Sequence, residues 1–204
     1  MREITEIRKF NVYKFDELSQ AAKEKVRDWY LEGQSDLSYI FTEDCMERLK
    51  ELFPNSNLEV QYSLAYCQGD GFNIYGEIRL DELLEKIAEN FTEKEMKFFE
   101  WAFNEYDTSY KMASNNHYYY CICSRNDFME DIFYEMDNWY FRNIPEKTME
   151  KFNKLAGEYL DNLCKEFENN GYDFFYEISE EDLQEYCEAN DYEFLEDGKF
   201  YAAA

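Results

Sequence analysis

The stretch YSLAYCQGDGFNIYGEIRL, residues 62–80, decides how we expect this chain to fold. Apolar residues alternate with polar ones on both sides of Gln68-Gly69-Asp70-Gly71, which is typical of two half-buried strands. The alternating positions are Leu58, Val60, Tyr62, Leu64 and Tyr66 before the loop, and Phe72, Ile74, Gly76 and Ile78 after it. Asp-Gly favours a tight turn because glycine adopts the positive φ that such turns need. The stretch therefore predicts a β-hairpin, with Gln68 and Asp70 at its tip as candidate partner contacts.

Periodicity and capping residues predict the other elements. Strands are expected over 3–15, and over 108–114 and 117–124, which are joined by Asn115-Asn116. Helices are expected from Asp16 or Ser19 to Leu31 with Gly33 as the stop, from Thr42 to Phe53, after the cap Asp81, from Thr92 to Tyr106 with a Thr92–Glu95 capping box, over 127–143, from Pro145 to Asn169 with Gly171 as the stop, and after Ser179. A short hairpin over Asp197-Gly198 closes the chain.

The order of these elements indicates the fold class. Strands arrive as hairpins rather than alternating singly with helices, so we expect an α+β fold whose antiparallel sheet packs against several helices. The length of 204 residues fits a single domain over 1–201, with a more acidic helical part over about 145–201. We interpret Ala202-Ala203-Ala204 as a cloning remnant.

Charge is the strongest global signal in the composition. Forty-six acidic residues against 21 basic ones give a formal net charge of −25. Such a surface repels phosphate backbones and anionic membranes, so we expect neither nucleic acid nor a membrane as a direct partner. It attracts basic protein surfaces, including those that hold DNA or RNA. A merely solvated surface has the same composition, and the sequence leaves both interpretations open.

The acidic residues are concentrated in the C-terminal third. Residues 161–197 contain 14 acids and one base, Lys165, whereas the first sixty residues contain 13 acids and 9 bases. Tyrosine and phenylalanine are interleaved with these acids, and exposed rings would add contact area and bind arginine. The candidate partner contacts in this segment are Glu177, Glu180, Glu181, Asp182, Glu185, Glu188 and Asp191.

A second acidic pattern lies on the helix expected over 127–143. Asp127, Asp131 and Glu135 recur every four residues, about 6 Å apart along a helix. This ladder imitates the phosphate spacing of a DNA strand, so its members join the candidate partner contacts. The solvated side of an amphipathic helix has the same spacing and is the simpler interpretation of this helix taken alone.

No residue pattern identifies a reaction. His117 is the only histidine, no nucleophile can be placed beside it, and its solitude excludes a histidine-rich catalytic zinc site. The six cysteines form no C-x-x-C pair. We expect no signal peptide and therefore reduced cytosolic thiols. No segment approaches the about 18 apolar residues that span a bilayer. We therefore expect no catalytic residue, no metal and no cofactor.

Two motifs resemble a loose group of small proteins from phages and mobile elements of bacteria. The first is YKFDELSQAAK, residues 13–23, which matches Y-x-F-D-E-L-S-x-x-A-K; the second is CQGDG, residues 67–71, followed by Phe72 and Gly76. Asn73-Ile74-Tyr75 departs from the group, in which a small residue often stands there. The resemblance covers about the first eighty residues and the strand NNHYYYCI. It implies a phage or mobile-element setting and supplies no catalytic residues; some members carry antitoxin labels.

Charge and setting together predict an acidic phage-type inhibitor of a host nucleic-acid-binding defence enzyme, such as an anti-CRISPR protein that mimics nucleic acid. Its partner would be the basic groove of a host nuclease or CRISPR effector, in the cytoplasm of the bacterial host. The chain itself would not be an enzyme. Two alternatives stay open, namely an antitoxin that neutralises a basic toxin and an enzyme that uses His117.

Overall fold

A computed structural model describes residues 2, 9–114, 123, 126–136 and 145–202. In chain order, its elements are α1 (Gln20–Gln34), α2 (Ser38–Leu52), β1 (Asn57–Ser63), β2 (Gly71–Arg79), α3 (Leu80–Ile87), α4 (Glu93–Glu105), β3 (Ser109–Met112), α5 (Glu130–Glu135), α6 (Pro145–Tyr176) and α7 (Glu180–Ala189). The strands form one antiparallel sheet in the order β1-β2-β3. The predicted α+β class with an antiparallel sheet is therefore confirmed.

The chain divides into two compact units. One combines Met1–Ser38 with Tyr172–Ala204, and we call it the terminal unit. The other is the continuous segment Tyr39–Gly171, which we call the central unit. Our expectation of a single domain over 1–201 stays a prediction beside this division.

The sheet lies in the central unit, with β2 as its middle strand. Val60 pairs with Ile74 across β1 and β2, and Ile78 pairs with Tyr110 across β2 and β3. The buried Phe72 ring of β2 lies 6.3 Å from that of Phe41 in α2 and 5.2 Å from that of Phe167 in α6, centroid to centroid. Because these contacts come from two helices, the N-terminal half of β2 is enclosed by α2 and α6.

A buried carboxylate ties the turn before β1 to α3. The Glu82 side chain, 6% exposed, accepts hydrogen bonds from the Asn55 backbone (2.8 Å), the Asn55 amide (2.8 Å) and the Ser56 hydroxyl (2.7 Å). A buried carboxylate needs such donors because its desolvation is costly. Glu82 therefore has a structural role.

The terminal unit has its own core, formed by both ends of the chain. Tyr13 and Phe194 exchange two backbone hydrogen bonds of 2.9 Å each. Beyond Phe194 the chain turns back, with Leu195 N–H bonding to Lys199 O (2.8 Å) and Gly198 at φ +84°. This confirms the closing hairpin. The buried core residues are Phe15, Leu18, Ala22, Val26, Leu183, Cys187 and Phe194.

Two predicted helix starts are confirmed by their caps. At α4, the Thr92 hydroxyl accepts from Glu95 N–H (3.3 Å) and the Glu95 carboxylate accepts from Thr92 N–H (2.7 Å), which is a capping box. At α7, the Ser179 hydroxyl accepts from Asp182 N–H at 3.0 Å. Both signals are local in sequence, and at α4 the Glu95 carboxylate also binds Lys151 of α6 at 3.1 Å.

Both predicted glycine stops are wrong. α1 continues through Gly33 to Gln34, and α6 continues through Gly171 to Tyr176. A methyl group on Gly171 would collide with Leu64 Cδ1 and approach Phe41 Cζ to 2.9 Å. The helix therefore lacks a side chain at 171 because neighbouring residues fill that space. At Gly33 nothing lies within 4 Å of an added Cβ, and the chain passes into a short 3-10 turn at Ser35–Leu37.

Two predicted caps are also wrong. α2 begins at Ser38, so Thr42 lies inside the helix, where its hydroxyl lies 2.9 Å from the Tyr62 hydroxyl of β1. α3 begins at Leu80, and the Asp81 carboxylate binds the Arg79 guanidinium at 3.0 and 2.9 Å. The Asp81 carboxylate is thus held by a charge-assisted, bidentate contact.

Three further predictions are corrected or lie partly outside the described residues. In the segment predicted as a strand over 3–15, the described part pairs only through Tyr13, and Phe15 already begins a 3-10 turn. The helix expected over 127–143 begins at Glu130 instead; residues 137–143 are outside the described part, as is the strand expected over 117–124 apart from Cys123.

A matched pair of glycine substitutions tests the packing explanation. For Gly171→Ala, overpacking of about 1–3 kcal/mol exceeds the gain in helix propensity of about 1 kcal/mol, so we expect the free energy of unfolding to fall. For Gly33→Ala, with open space around it, we expect a rise of about 0.5 kcal/mol. Chemical denaturation measures both, and equal effects at the two positions would contradict the packing explanation.

Candidate functional site

The C-terminal acids fall into distinct groups. Four of them pair with bases of the N-terminal segment, all within the terminal unit. Three are predicted partner contacts: Glu177 with Arg27 (3.3 Å), Glu180 with Lys23 (2.7 Å) and Asp191 with Lys14 (2.7 Å). The fourth is Glu193, 3.8 Å from Lys14. The hydrogen bond from Lys23 lowers the pKa of Glu180, and that from Lys14 lowers the pKa of Asp191. These predicted partner contacts are therefore already engaged inside the chain.

A second group points outward from α7. Leu183 and Cys187 are the buried positions of this helix, and Glu181, Glu185 and Glu188 lie on the opposite side. We call these three exposed residues the α7 stripe. Their Cα atoms rise by about 6 and 4.5 Å along the helix axis. The Glu188 carboxylate accepts from Gln184 (2.7 Å), whereas the side chains of Glu181 and Glu185 make no hydrogen bond or ion pair with any residue that the structure describes.

Asp182 has a local role at the start of α7. Its carboxylate accepts from the Ser179 hydroxyl (2.6 Å), while its own N–H binds that hydroxyl. A carboxylate in the first turn also lies near the positive end of the helix dipole. Asp182 is therefore a capping residue, and its role as a partner contact stays a prediction.

Many aromatic residues of the acidic segment belong to the fold. Tyr186 packs edge-on against Tyr30 and Tyr192, with centroids 4.8 and 5.8 Å apart. Trp29 stacks on Phe200 at 5.1 Å. Burial, followed by the hydrogen bond with Tyr192, raises the pKa of Tyr186 to about 12. Tyr186 and Phe200 keep 38% and 37% of their surface exposed, so these two can still contribute contact area to a partner.

The ladder of acids near α5 is only partly formed. Asp131 and Glu135 are exposed and share α5, but Asp127 precedes the helix. The Asp127 carboxylate accepts from the Asn153 amide of α6 at 2.5 Å, and Asn153 in turn accepts from Met129 N–H at 3.2 Å. The predicted three-residue ladder on one helix is therefore wrong, because Asp127 is used to hold the chain against α6.

The CQGDG loop is organised by Asp70. The strands end at Ser63 and resume at Gly71, so Leu64 and Tyr66 lie in a loop rather than in β1, and a tight two-residue turn is excluded. The expected positive φ is found at Gly69 (104°). The donors to the Asp70 carboxylate are Ala65 N–H (2.6 Å), Ser63 Oγ (2.8 Å), Cys67 N–H (2.9 Å) and Cys67 Sγ (3.1 Å).

These hydrogen bonds shift the pKa values of Asp70 and Cys67 in the loop. Desolvation raises the pKa of Asp70, but the hydrogen bonds from Cys67, Ser63 and Ala65 together outweigh it and hold that pKa well below its ordinary value. The bond to Asp70 raises the pKa of Cys67, so this exposed thiol stays protonated at neutral pH. Asp70 therefore turns inward, and Gln68 is the remaining candidate contact of the Gln68-Gly69-Asp70-Gly71 tip.

The motif YKFDELSQAAK, residues 13–23, contributes core residues to the terminal unit. Phe15, Leu18 and Ala22 are core residues, and the Glu17 carboxylate accepts from Lys14 N–H at 2.8 Å. Lys23 lies 5.1 Å from the centre of the Phe15 ring while it binds Glu180. Sequence reasoning missed Lys14, Lys23 and Arg27 as the counter-charges of the C-terminal acids. The four-residue spacing of Lys23 and Arg27, which places both bases on one side of a helix beside the apolar Val26, was the signal in the sequence that could have identified them.

Neither a metal site nor a membrane-spanning helix is found in the described part of the chain. Among those residues no group of three or more His, Cys, Asp or Glu side chains could hold a metal ion. Within the same ranges, no helix has the length and apolarity needed to cross a membrane. His117 lies outside the described residues. Comparisons with protein-family models, curated proteins and solved structures found no match.

Asp70→Asn tests the loop assignment. We expect a loss of about 1 kcal/mol in the free energy of unfolding, since charge-assisted hydrogen bonds become neutral ones. Because the folded pKa of Asp70 is depressed, its contribution is fully present above the unfolded pKa of about 4 and is lost as the pH falls below it. Denaturation of wild type and variant across this range measures the difference.

The matched control for this loop is Asp44→Asn. Asp44 is exposed on α2, and its side chain makes no hydrogen bond with the residues that the structure describes. We expect little change for this control at any pH. A wild-type advantage over Asp70→Asn that grows as the pH falls would contradict the depressed pKa and the role given to the carboxylate.

Proposed function

We propose that this chain is a binding protein that inhibits a nucleic-acid-binding enzyme by occupying its basic groove, with the α7 stripe as a contact surface. The observation that supports this most directly is the division among the C-terminal acids. Glu177, Glu180 and Asp191 have basic partners in the terminal unit, whereas the stripe presents three carboxylates outward. If the acidic residues served only to keep molecules apart in solution, this division into paired acids and an exposed stripe would not be needed.

The physics of association fits this assignment. A net charge of −25 steers the chain toward positive surfaces and away from nucleic acid. Carboxylates about 6 Å apart on one helix side offer the lysines and arginines of a phosphate-binding groove a row of partners. Tyr186, on the same helix, adds aromatic contact area of the kind enriched at protein interfaces.

The setting is part of the proposal. The motif resemblance supports an origin in a phage or mobile element, and the partner would be a defence nuclease or CRISPR effector in the cytoplasm of the bacterial host. An antitoxin that neutralises a basic toxin uses the same electrostatics. The partner's identity separates the two, since a toxin encoded beside this chain is a dedicated partner and a defence nuclease is a host protein.

The triple substitution Glu181→Gln, Glu185→Gln and Glu188→Gln tests the contact surface. If each exposed charge contributes roughly 0.5 kcal/mol, affinity for the partner recovered from bacterial lysate at low salt falls about tenfold. Binding of the wild type should also weaken steeply with salt, since exposed charges are screened. Titration calorimetry over a range of ionic strength measures both effects.

The matched control removes the same number of charges elsewhere. Glu43, Glu85 and Glu89 are exposed in the central unit, and their triple glutamine variant has the same net charge as the stripe variant. The proposal requires the control to bind nearly as well as wild type. Equal losses in the two variants would show that total charge alone matters. A partner whose nucleic-acid binding survives complex formation would exclude inhibition by occupation of the groove.

A further inference from the structure

A groove in the central unit combines exposed aromatic rings with carboxylates. It lies between the segment 127–134 and the first two turns of α6, and it encloses about 220 Å³. Phe133 and Tyr134 line it and are 49% and 75% exposed, which is unusual for rings of this size. Met129 and Met149 line it as well and are themselves buried.

The charge of the groove has one sign. Its lining includes four carboxylates and, among the described residues, no basic side chain; the carboxylates are Asp127, Glu130, Glu146 and Glu150. Aromatic ring faces attract cations as carboxylates do. Both components of the lining therefore select a positively charged group, and one that carries some apolar surface.

Its walls are held in place before any partner binds. Asn153 of α6 donates to Asp127 and accepts from Met129 N–H, and this joins the two sides. The Phe133 and Tyr134 rings stand at 71° to each other with centroids 6.0 Å apart, so they offer faces in two directions. A groove held in this way loses less entropy on binding than one that must form.

We propose that this groove is a docking site for an arginine-bearing segment of a partner protein. The volume lies below the about 300–1,000 Å³ of cavities for drug-sized ligands, so it suits one or two side chains. Arginine fits better than lysine, because its planar guanidinium stacks on rings and binds carboxylates in pairs. A second copy of the chain is disfavoured by its net charge of −25. The inference rests on the proposed function only in that the partner is a basic protein.

Peptide titrations followed by NMR test this docking site on the full chain. The probes are an arginine-rich peptide, a lysine-rich peptide of equal length and charge, and a citrulline peptide that keeps the shape without the charge. We expect arginine to bind more tightly than lysine, citrulline not to bind, and amide shifts to map to the groove around Asn153. Tyr134→Ala and Phe133→Ala should each weaken arginine binding about two- to fivefold.

Control variants separate docking from general charge. Tyr39→Ala removes an aromatic ring that is 58% exposed on α2, and Glu85→Gln removes an exposed charge on α3; both should leave arginine binding unchanged. Glu130→Gln with Glu150→Gln should weaken it. Thermal unfolding monitored by circular dichroism checks that each variant is folded, which we expect because the substituted side chains are exposed.

Each outcome distinguishes this inference from the proposed function. If Tyr134→Ala and Phe133→Ala bind the arginine peptide as wild type does while the α7 stripe variant does not, the docking site is wrong and the proposed function stands. If arginine binding depends on the groove but stripe variants keep full affinity for the lysate partner, the docking site stands and the proposed function, with the α7 stripe as its contact surface, is wrong. Concentration-dependent dimerisation that Tyr134→Ala abolishes would overturn the docking site in favour of self-association.

Discussion

The two backbone hydrogen bonds between Tyr13 and Phe194 are the contact on which the terminal unit depends. They join residues from opposite ends of the chain, and Phe194 is completely buried. Phe15, Val26, Leu183 and Cys187 complete the core around this junction. Neither terminal segment contains enough apolar surface to form such a core alone, so each end of the chain requires the other.

This closure also determines which charges meet. The N-terminal segment is nearly balanced in charge and the C-terminal segment is strongly acidic. Their contact places Lys14, Lys23 and Arg27 against acids that are 177, 157 and 150 residues away in sequence. Exposed ion pairs add little stability individually. The main consequence of these ion pairs is that they neutralise some of the acids and not others. The acids on the solvent-facing side of α7 keep their charge without a basic partner among the described residues.

How far the sequence predicted the structure follows from the range of each interaction. The Thr92–Glu95 capping box and the Ser179 cap involve neighbours within a few residues, and both were predictable. The hairpin of β1 and β2 was also predictable, but not the end of β1 at Ser63. The role of Gly171 depends on Phe41 and Leu64, which lie more than a hundred residues earlier. The usual interpretation of glycine as the end of a helix was therefore wrong at this position.

The candidate site shows the same limit. Acidity of the C-terminal third was visible in the sequence, but the division into compensated acids, the capping residue Asp182 and the outward stripe was not. The groove beside α5 was missed for a similar reason. The structure shows that Ile132 is the buried residue of α5 and that the adjacent Phe133 and Tyr134 are exposed, and their place beside α6 depends on packing that the sequence does not show.

A net charge of −25 opposes folding, because like charges repel in a compact chain. The structure relieves this repulsion selectively, through ion pairs in the terminal unit and through hydrogen bonds at Glu82 and Asp70. Like charges also lie close together at the α7 stripe and in the aromatic groove. Among the described residues, no such compensation reaches the carboxylates of Glu181, Glu185, Glu130, Glu146 and Glu150. A basic partner would supply there the counter-charge that the chain itself does not, so the sites of least internal compensation are also those where binding gains most from charge.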